Sequence, residues 1–129
     1  MAKLGRYSAN RFKVEAISAD HTLTVDDCGK MLVCSPGGGG LTLTLPSATA
    51  AGAGWWIKIV KADEGTDLLI VATSSLDGQA VEGGGSVESL LNNFSIDGNA
   101  GKGSWAEIWC DGAQYYATGI ADSAVGFNP

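Results

Sequence analysis

Apolar and polar residues alternate along most of this chain with a period of two, the spacing that places one set of side chains on each face of an extended strand. The clearest instance is Leu41-Thr42-Leu43-Thr44-Leu45, leucine on one face and threonine on the other. It lies between the breakers Pro36-Gly37-Gly38-Gly39-Gly40 and Pro46. Residues 21–25 predict a short strand ending in the turn Asp26-Asp27-Cys28-Gly29, and residues 30–35 predict a second strand. Residues 48–54 are a small-residue connector with room for one helical turn. Residues 55–61 alternate again, with Trp55, Ile57 and Ile59 on one side and Trp56, Lys58 and Val60 on the other. Residues 68–73 are continuously apolar, as in a strand covered on both faces.

The second half of the chain continues in the same manner. Residues 79–86, with Gly83-Gly84-Gly85, predict a loop. Residues 87–96 fit strand better than helix, because Asn92-Asn93 weakens a helix and Phe94 and Ile96 resume the alternation. Residues 104–110 set Trp105, Glu107 and Trp109 against Ala106, Ile108 and Cys110. Asp111-Gly112 then signals a hairpin with residues 114–119 as its return strand. These elements predict an all-β domain, a compact sandwich or a jelly-roll-like barrel of seven to eight short strands at ~10-residue spacing. Residues 1–15 stand outside the pattern as an extended N-terminal arm, ahead of a β domain over 16–129. No internal repeat period emerges, since the two glycine runs have different flanks.

Composition narrows the class. With 129 residues, 45% of them apolar and 17% charged, the chain is a single folded domain and not a disordered one. Its 19 glycines follow no strict period, which excludes a collagen-like rod. No apolar run approaches the ~20 residues of a membrane span, so no membrane partner is expected. The basic, polar stretch 1–12 leads into no apolar segment, which predicts synthesis and retention in a cytoplasm.

The charge is unevenly placed. Residues 1–13 hold Lys3, Arg6, Arg11 and Lys13 and no acid, a charge of +4. The other 116 residues hold the remaining four bases against all 14 acids, a charge of −10. An acidic body behind a basic arm predicts no nucleic-acid partner, which would require Lys and Arg gathered on a face of the fold. It predicts instead a strand-like arm reaching for an acidic protein. So few charges on so small a domain suggest that part of its surface is covered by other copies of the chain.

Candidate chemistry is sparse. Lys102 in Gly101-Lys102-Gly103-Ser104 lacks the following Ser or Thr and the earlier Gly of a phosphate loop. His21 is the single histidine, so any histidine-based triad would need it, and its place beside Asp20 at a strand start reads as structural. Cys28, Cys34 and Cys110 are too few and too unevenly spaced for zinc and read as free, packed thiols, with a Cys28–Cys34 bridge as the alternative. Asp26/Asp27 and Asp63/Glu64 read as solvated turns. Asp97-Gly98-Asn99 opens like a calcium loop but lacks its closing Glu, and Asn93-Phe94-Ser95 is a glycosylation sequon by spelling only. No catalytic residue, metal or cofactor is expected. Of the four tryptophans, Trp55 and Trp56 must point to opposite faces, one toward the core and one toward solvent or a partner, while Trp105 and Trp109 share a face.

Several strings together resemble a known pattern: residues 19–30, Leu41-Thr42-Leu43-Thr44-Leu45-Pro46, Ala51-Gly52-Ala53-Gly54-Trp55 and Trp109-Cys110-Asp111-Gly112. The pattern is similar to one recurrent in the capsid decoration (cement) proteins of tailed bacteriophages and in modules of their tail fibres, and it covers about residues 19–119. The short chain and basic arm look more like the head decoration proteins. That resemblance implies a β-tulip-like barrel assembled as a homotrimer on three-fold positions of the outer capsid surface, without enzymatic activity. It implies that the arm lies along the major capsid protein, with Arg6, Tyr7, Arg11 and Phe12 as anchors. The alternative it carries is a tail-fibre or receptor-binding module contacting host surface polysaccharide.

Overall fold

The computed structural model describes residues 12–63, 66–72, 76–81, 86–90, 93–96, 101–120 and 127–128. Alternate strands of the first half go to opposite sheets. Strand β1 (Lys13–Ile17) lies in a larger sheet and β2 (His21–Thr22) in a smaller one. The chain returns to the larger sheet for β3 (Lys30–Cys34), crosses for β4 (Leu41–Thr44), returns for β5 (Trp56–Lys61) and crosses again for β6 (Leu68–Val71). Each return pairs parallel to its predecessor: Lys13 with Lys30 and Met31 with Lys58 in the larger sheet, His21 with Leu43 and Leu41 with Leu68 in the smaller. The first 60 or so described residues thus wind as three turns of a coil flattened between two sheets.

The remaining strands extend both layers. Strands β7 (Leu76–Val81) and β8 (Ser86–Leu90) join the larger sheet, β9 (Asn93–Ile96) the smaller, β10 (Trp105–Cys110) and β11 (Tyr115–Ile120) the larger, and β12 (Phe127–Asn128) the smaller. The orders are β1-β3-β5-β10-β11-β7-β8 and β12-β9-β6-β4-β2. The predicted all-β architecture of two packed sheets is present, but the sheets do not close into a barrel. The parallel pairs β1/β3/β5 and β2/β4/β6 differ from the antiparallel arrangement of a sandwich or jelly roll.

Several element boundaries differ from the sequence reading. Residues 13–15, assigned to the arm, are the first three of β1, because their amides and carbonyls pair with β3. Residues 79–81 and 86 are strand where a loop is predicted, and 87–96 divides between β8 and β9 in different sheets. The run 68–73 is covered on one face only: Leu68 and Ile70 are buried, whereas Leu69 and Val71 are half-buried beside Thr42 and Thr44. The connector does hold one helical turn, α1 (Ala48–Ala51), capped by the Ser47 hydroxyl, which accepts from Ala50 N at 3.2 Å.

The inward residues of both sheets form one core. Leu32, Ile57, Ile59, Ala106 and Ile108 from the larger sheet meet Leu41, Leu43, Leu68, Ile70 and Ile96 from the smaller, all 0–2% exposed. Trp55 and Tyr115 close one end of the seam, edge to face at 5.8 Å. Each has a polar atom satisfied there: Trp55 Nε1 donates to the Val25 carbonyl at 3.2 Å and the Tyr115 hydroxyl to the Pro46 carbonyl at 2.6 Å. Burial pushes the Tyr115 phenol up from its ordinary pKa, so it remains a donor. Replacing Ile59 by Ala removes atoms from the centre of this seam and is expected to lower unfolding free energy by about 2–5 kcal/mol in urea titrations.

One end of β3 is tied by ions. Lys30 Nζ lies 2.8 Å from Glu15 Oε2 and 2.5 Å from Asp27 Oδ1, and Asp27 Oδ2 accepts from Thr24 N at 2.8 Å. Asp27, read from the sequence as a solvated turn residue, is 6% exposed. Burial pushes its carboxyl upward, but the hydrogen bonds from Lys30 and the Thr24 amide outweigh that and hold its pKa below the usual carboxylate value. The same contacts raise Lys30 to about 12. The depressed Asp27 contributes stability that is present above its unfolded pKa of 3.8 and lost as pH falls through the lower folded value. The Asp27→Asn variant is therefore expected to be about 1–3 kcal/mol less stable at neutral pH, with a smaller loss on acidification below pH ~4 than the parent chain, measured by urea unfolding across pH.

Candidate interaction surface

The two sheets present different outer faces. Outward positions of the smaller sheet mix polar and apolar residues: Thr22 and Thr44 face each other across β2 and β4, Thr42 and Asn93 extend the surface, and Leu69 and Val71 lie half-buried between them, with Ser95 buried beside Leu69. Across β1, β3, β5, β10 and β11 most outward positions of the larger sheet are apolar or aromatic, and the register arranges them in rows. One row runs Ala16, Val33, Val60, Trp105. The next runs Val14, Met31, Lys58, Glu107, Thr118. The third brings Trp56, Trp109 and Tyr116 side by side, with Phe12 at its near end.

The rings of that third row are in contact. Phe12 meets Trp56 edge to face at 5.8 Å, and Trp109 stacks on Tyr116 at 6.1 Å with 22° between planes. Gly29 stands between the strands carrying Phe12 and Trp56, its N–H donating to the Trp56 carbonyl at 2.7 Å. Its φ of +80° is left-handed, and a Cβ there would lie 3.8 Å from the Trp56 ring. At the far end the β10–β11 loop is fixed by Asp111, whose Oδ1 accepts from Ala113 N at 2.8 Å and Gln114 N at 2.9 Å. Those amide bonds lower the Asp111 pKa, and its Oδ2 accepts from the Tyr116 hydroxyl at 3.1 Å, which orients the last ring of the row.

Across β5 and β10 the charged residues of this face are one base and one acid. Lys58 and Glu107 lie directly opposite each other in the β5/β10 register, and Lys58 Nζ sits 4.8 Å above the Trp105 ring. The exposed acids Asp20, Asp26, Asp67 and Asp111 stand in turns and loops outside its strands. Phe12 and Trp109 keep 53% and 39% of their surface exposed, and Val14 keeps 60%.

The four anchors predicted for the arm fare differently. Arg6, Tyr7 and Arg11 lie outside the described residues. Phe12 is described and packs on Trp56 of its own chain as the start of the aromatic row, with about half of its surface exposed. Trp55 and Trp56 point to opposite faces as the alternation requires, Trp55 into the core and Trp56 outward. Val60 shares the outward face of Trp56 and Lys58 as the alternation requires, whereas Met31, Val33 and Tyr116 are given no face by the sequence reading. The signal for Met31 and Val33 is apolar character on both faces of residues 31–34, the criterion applied instead to 68–73.

Other candidate groups are accounted for locally. Cys28, Cys34 and Cys110 are free thiols, and burial raises the Cys34 pKa to about 12, keeping it protonated. His21 begins β2, half-buried. Lys102 lies in an exposed turn, Asp63 accepts from Gly37 N at 3.0 Å, and Asp97 to Asn99 lie outside the described residues. Asn93 and Ser95 sit in β9, Ser95 buried. A shallow groove of about 290 Å³ crosses the smaller sheet between Asp20, Gly40, Thr42, Asp67, Leu69 and Ser95. Its Asp20 carboxylate already accepts from Thr42 N at 2.8 Å. Among the described residues no three His, Cys, Asp or Glu side chains are grouped to hold a metal ion.

The geometry of the row makes Gly29 sensitive. Gly29→Ala is expected to cost about 1–2 kcal/mol through its left-handed backbone, read as a lowered urea midpoint at unchanged slope. No protein-family model matches the chain, and neither a curated protein nor a solved structure shows significant similarity to it.

Proposed function

We propose that this chain is a capsid decoration protein of a tailed bacteriophage, a homotrimer that binds the outer surface of the assembled head and bridges neighbouring major capsid subunits. The reading rests first on the resemblance of residues 19–119 to such proteins. The structural observation that carries it is the position of β1: the basic residues 1–11 lead directly into a strand at the end of the larger sheet, paired to β3 on one side. Among the described residues no strand lies on its other side, and Lys13, Val14 and Ala16 are exposed. An edge of this kind accepts or donates a further strand through main-chain hydrogen bonds. The +4 charge of residues 1–13 suits an acidic groove on the capsid protein.

The mechanism is mechanical. A protein that binds the assembled shell and not its free subunits stabilises the shell by linkage, by ~2.7 kcal/mol per site at a free concentration 100 times the Kd. Three arms on one trimer raise attachment further, since the second and third arms bind at high effective concentration. Arg6, Tyr7 and Arg11 supply charge and aromatic area for that contact, residue types that dominate interface energetics.

The position of β1 also defines the truncation that tests the proposal. Deleting residues 2–11 leaves β1 intact, whereas a deletion reaching residue 15 would remove part of the sheet. The truncated chain is expected to keep its β-rich circular dichroism and its oligomeric mass while losing co-sedimentation with purified heads. Full-length protein is expected in hundreds of copies per particle. Normal decoration by the truncated chain, or a handful of copies confined to the tail, would overturn the proposal, and glycan binding with tail location would favour the receptor-binding module.

A further inference from the structure

From the groove on the outer face of the smaller sheet we infer a carbohydrate-binding site that takes one neutral pyranose ring. The inference does not rest on the decoration reading, since it concerns a face other than the β1 edge and a property of the chain alone. The coil itself builds the groove. Strands β2, β4 and β6 run parallel, so the residues just before them gather at one end of the sheet: Asp20 before β2, Gly39 and Gly40 before β4, Asp67 before β6. One cross-strand row completes it, with Thr42, Leu69 and Ser95 side by side on β4, β6 and β9.

Ser95 is the observation that points to a ligand. It shares the outward row of Leu69 yet is only 8% exposed, and among the described residues its hydroxyl has no hydrogen-bond partner. Buried hydroxyls are almost always hydrogen-bonded, so this one marks a place where the bond is supplied from outside the chain. Around it the acceptors are held in place. Asp20 Oδ1 accepts from Thr42 N at 2.8 Å, which fixes the carboxylate, and among the described residues its Oδ2 accepts no hydrogen bond. The Asp67 carbonyl accepts from Leu41 N at 3.2 Å and ties the start of β6 to β4. The glycine wall is bare: a Cβ on Gly39 would meet nothing within 4 Å, and one on Gly40, whose φ is +78°, would lie 3.4 Å from the Asp67 carbonyl oxygen.

Charge, size and donor set choose the class of ligand. Asp20 and Asp67 line the groove and no base does, so phosphate, sulfate and carboxylate groups are repelled. Its volume of about 290 Å³ is far more than one ion or water fills and lies at the small end of small-molecule sites. Calcium needs six to eight oxygens, and among the described residues no three acidic side chains converge to begin such a shell. A sugar ring matches what is present. Its hydroxyls donate to the Asp20 carboxylate, while the Thr42 and Ser95 hydroxyls both donate and accept. These two residues stand two strands apart, about 9.6 Å, a distance one ring bridges with a hydrogen bond of about 2.8 Å at each end. Leu69, half-buried between them, offers an aliphatic patch to the C–H face of the ring.

The test is amide NMR of the full-length chain titrated with the methyl pyranosides of glucose, galactose and mannose. Glucuronate serves as the anionic probe, and calcium chloride and ethylammonium chloride as the cationic ones. At least one neutral pyranoside is expected to shift the Thr42, Leu69 and Ser95 amides saturably, in the millimolar range of so small a contact, with the three charged probes inert there. Ser95→Ala is expected to weaken that binding about tenfold while leaving the thermal midpoint unchanged or raised, because it removes a hydroxyl that the chain alone does not satisfy. A merely structural serine would lower the midpoint. Gly39→Gln puts a side chain into the groove at a position without a left-handed φ, and is expected to abolish binding with the circular dichroism retained. Absence of saturable shifts with all three pyranosides, or binding indifferent to both variants, overturns the inference. Equal shifts from glucuronate or from either cation overturn the assignment to a neutral sugar. Co-sedimentation with heads is scored separately: a chain that decorates heads but binds no sugar refutes this site alone, and one that binds sugar but ignores heads refutes the decoration reading alone.

Discussion

The dry seam between the two sheets is the constraint on which the rest of this molecule depends. A strand has two faces, and here every strand of the first three coil turns commits one face to the same narrow space. That space is filled mainly by Leu and Ile with the smaller Ala between them, Leu32, Ile59 and Ala106 in one cross-strand row and Leu43 and Ile70 in another. Close packing of medium aliphatics sets the sheet separation and leaves little room for large rings except at the end, where Trp55 and Tyr115 find both space and hydrogen-bond acceptors. The other three tryptophans are thereby assigned to the outside.

That assignment separates two kinds of surface. The smaller sheet turns Thr22, Thr42, Thr44 and Asn93 outward, with Leu69 and Val71 half-buried among them. The larger sheet turns outward aliphatics and rings in two rows, with Lys58, Glu107 and Thr118 in a row between them. The ionic cluster of Glu15, Asp27 and Lys30 anchors β1 onto the same sheet and holds Phe12 at the end of the aromatic row.

The edge at β1 offers main-chain groups and follows a basic leader, which in the proposed function suits attachment to an acidic partner by strand addition. Loss of that contact would leave the core untouched, because the seam does not draw on it.

Much of the strand content was legible along the chain, because alternation is a property of neighbouring residues. Leu41 to Leu45, Trp55 to Lys61 and Trp105 to Cys110 each declare their two faces, and Asp111-Gly112 declares the hairpin. Pairing direction was not legible, since it depends on where a strand lands after crossing to the other sheet. The successive turns of the coil advance by 17 residues from Lys13 to Lys30 and 27 from Met31 to Lys58, so no fixed period betrays them. The burial of Asp27 likewise waits on Lys30 and the Thr24 amide meeting it in space. Alternation determined that Trp56 and Trp109 would point away from Ile57 and Ile108. Only the tertiary structure placed them side by side on one sheet face, because adjacency across strands is set by long-range hydrogen bonding and not by neighbours in sequence.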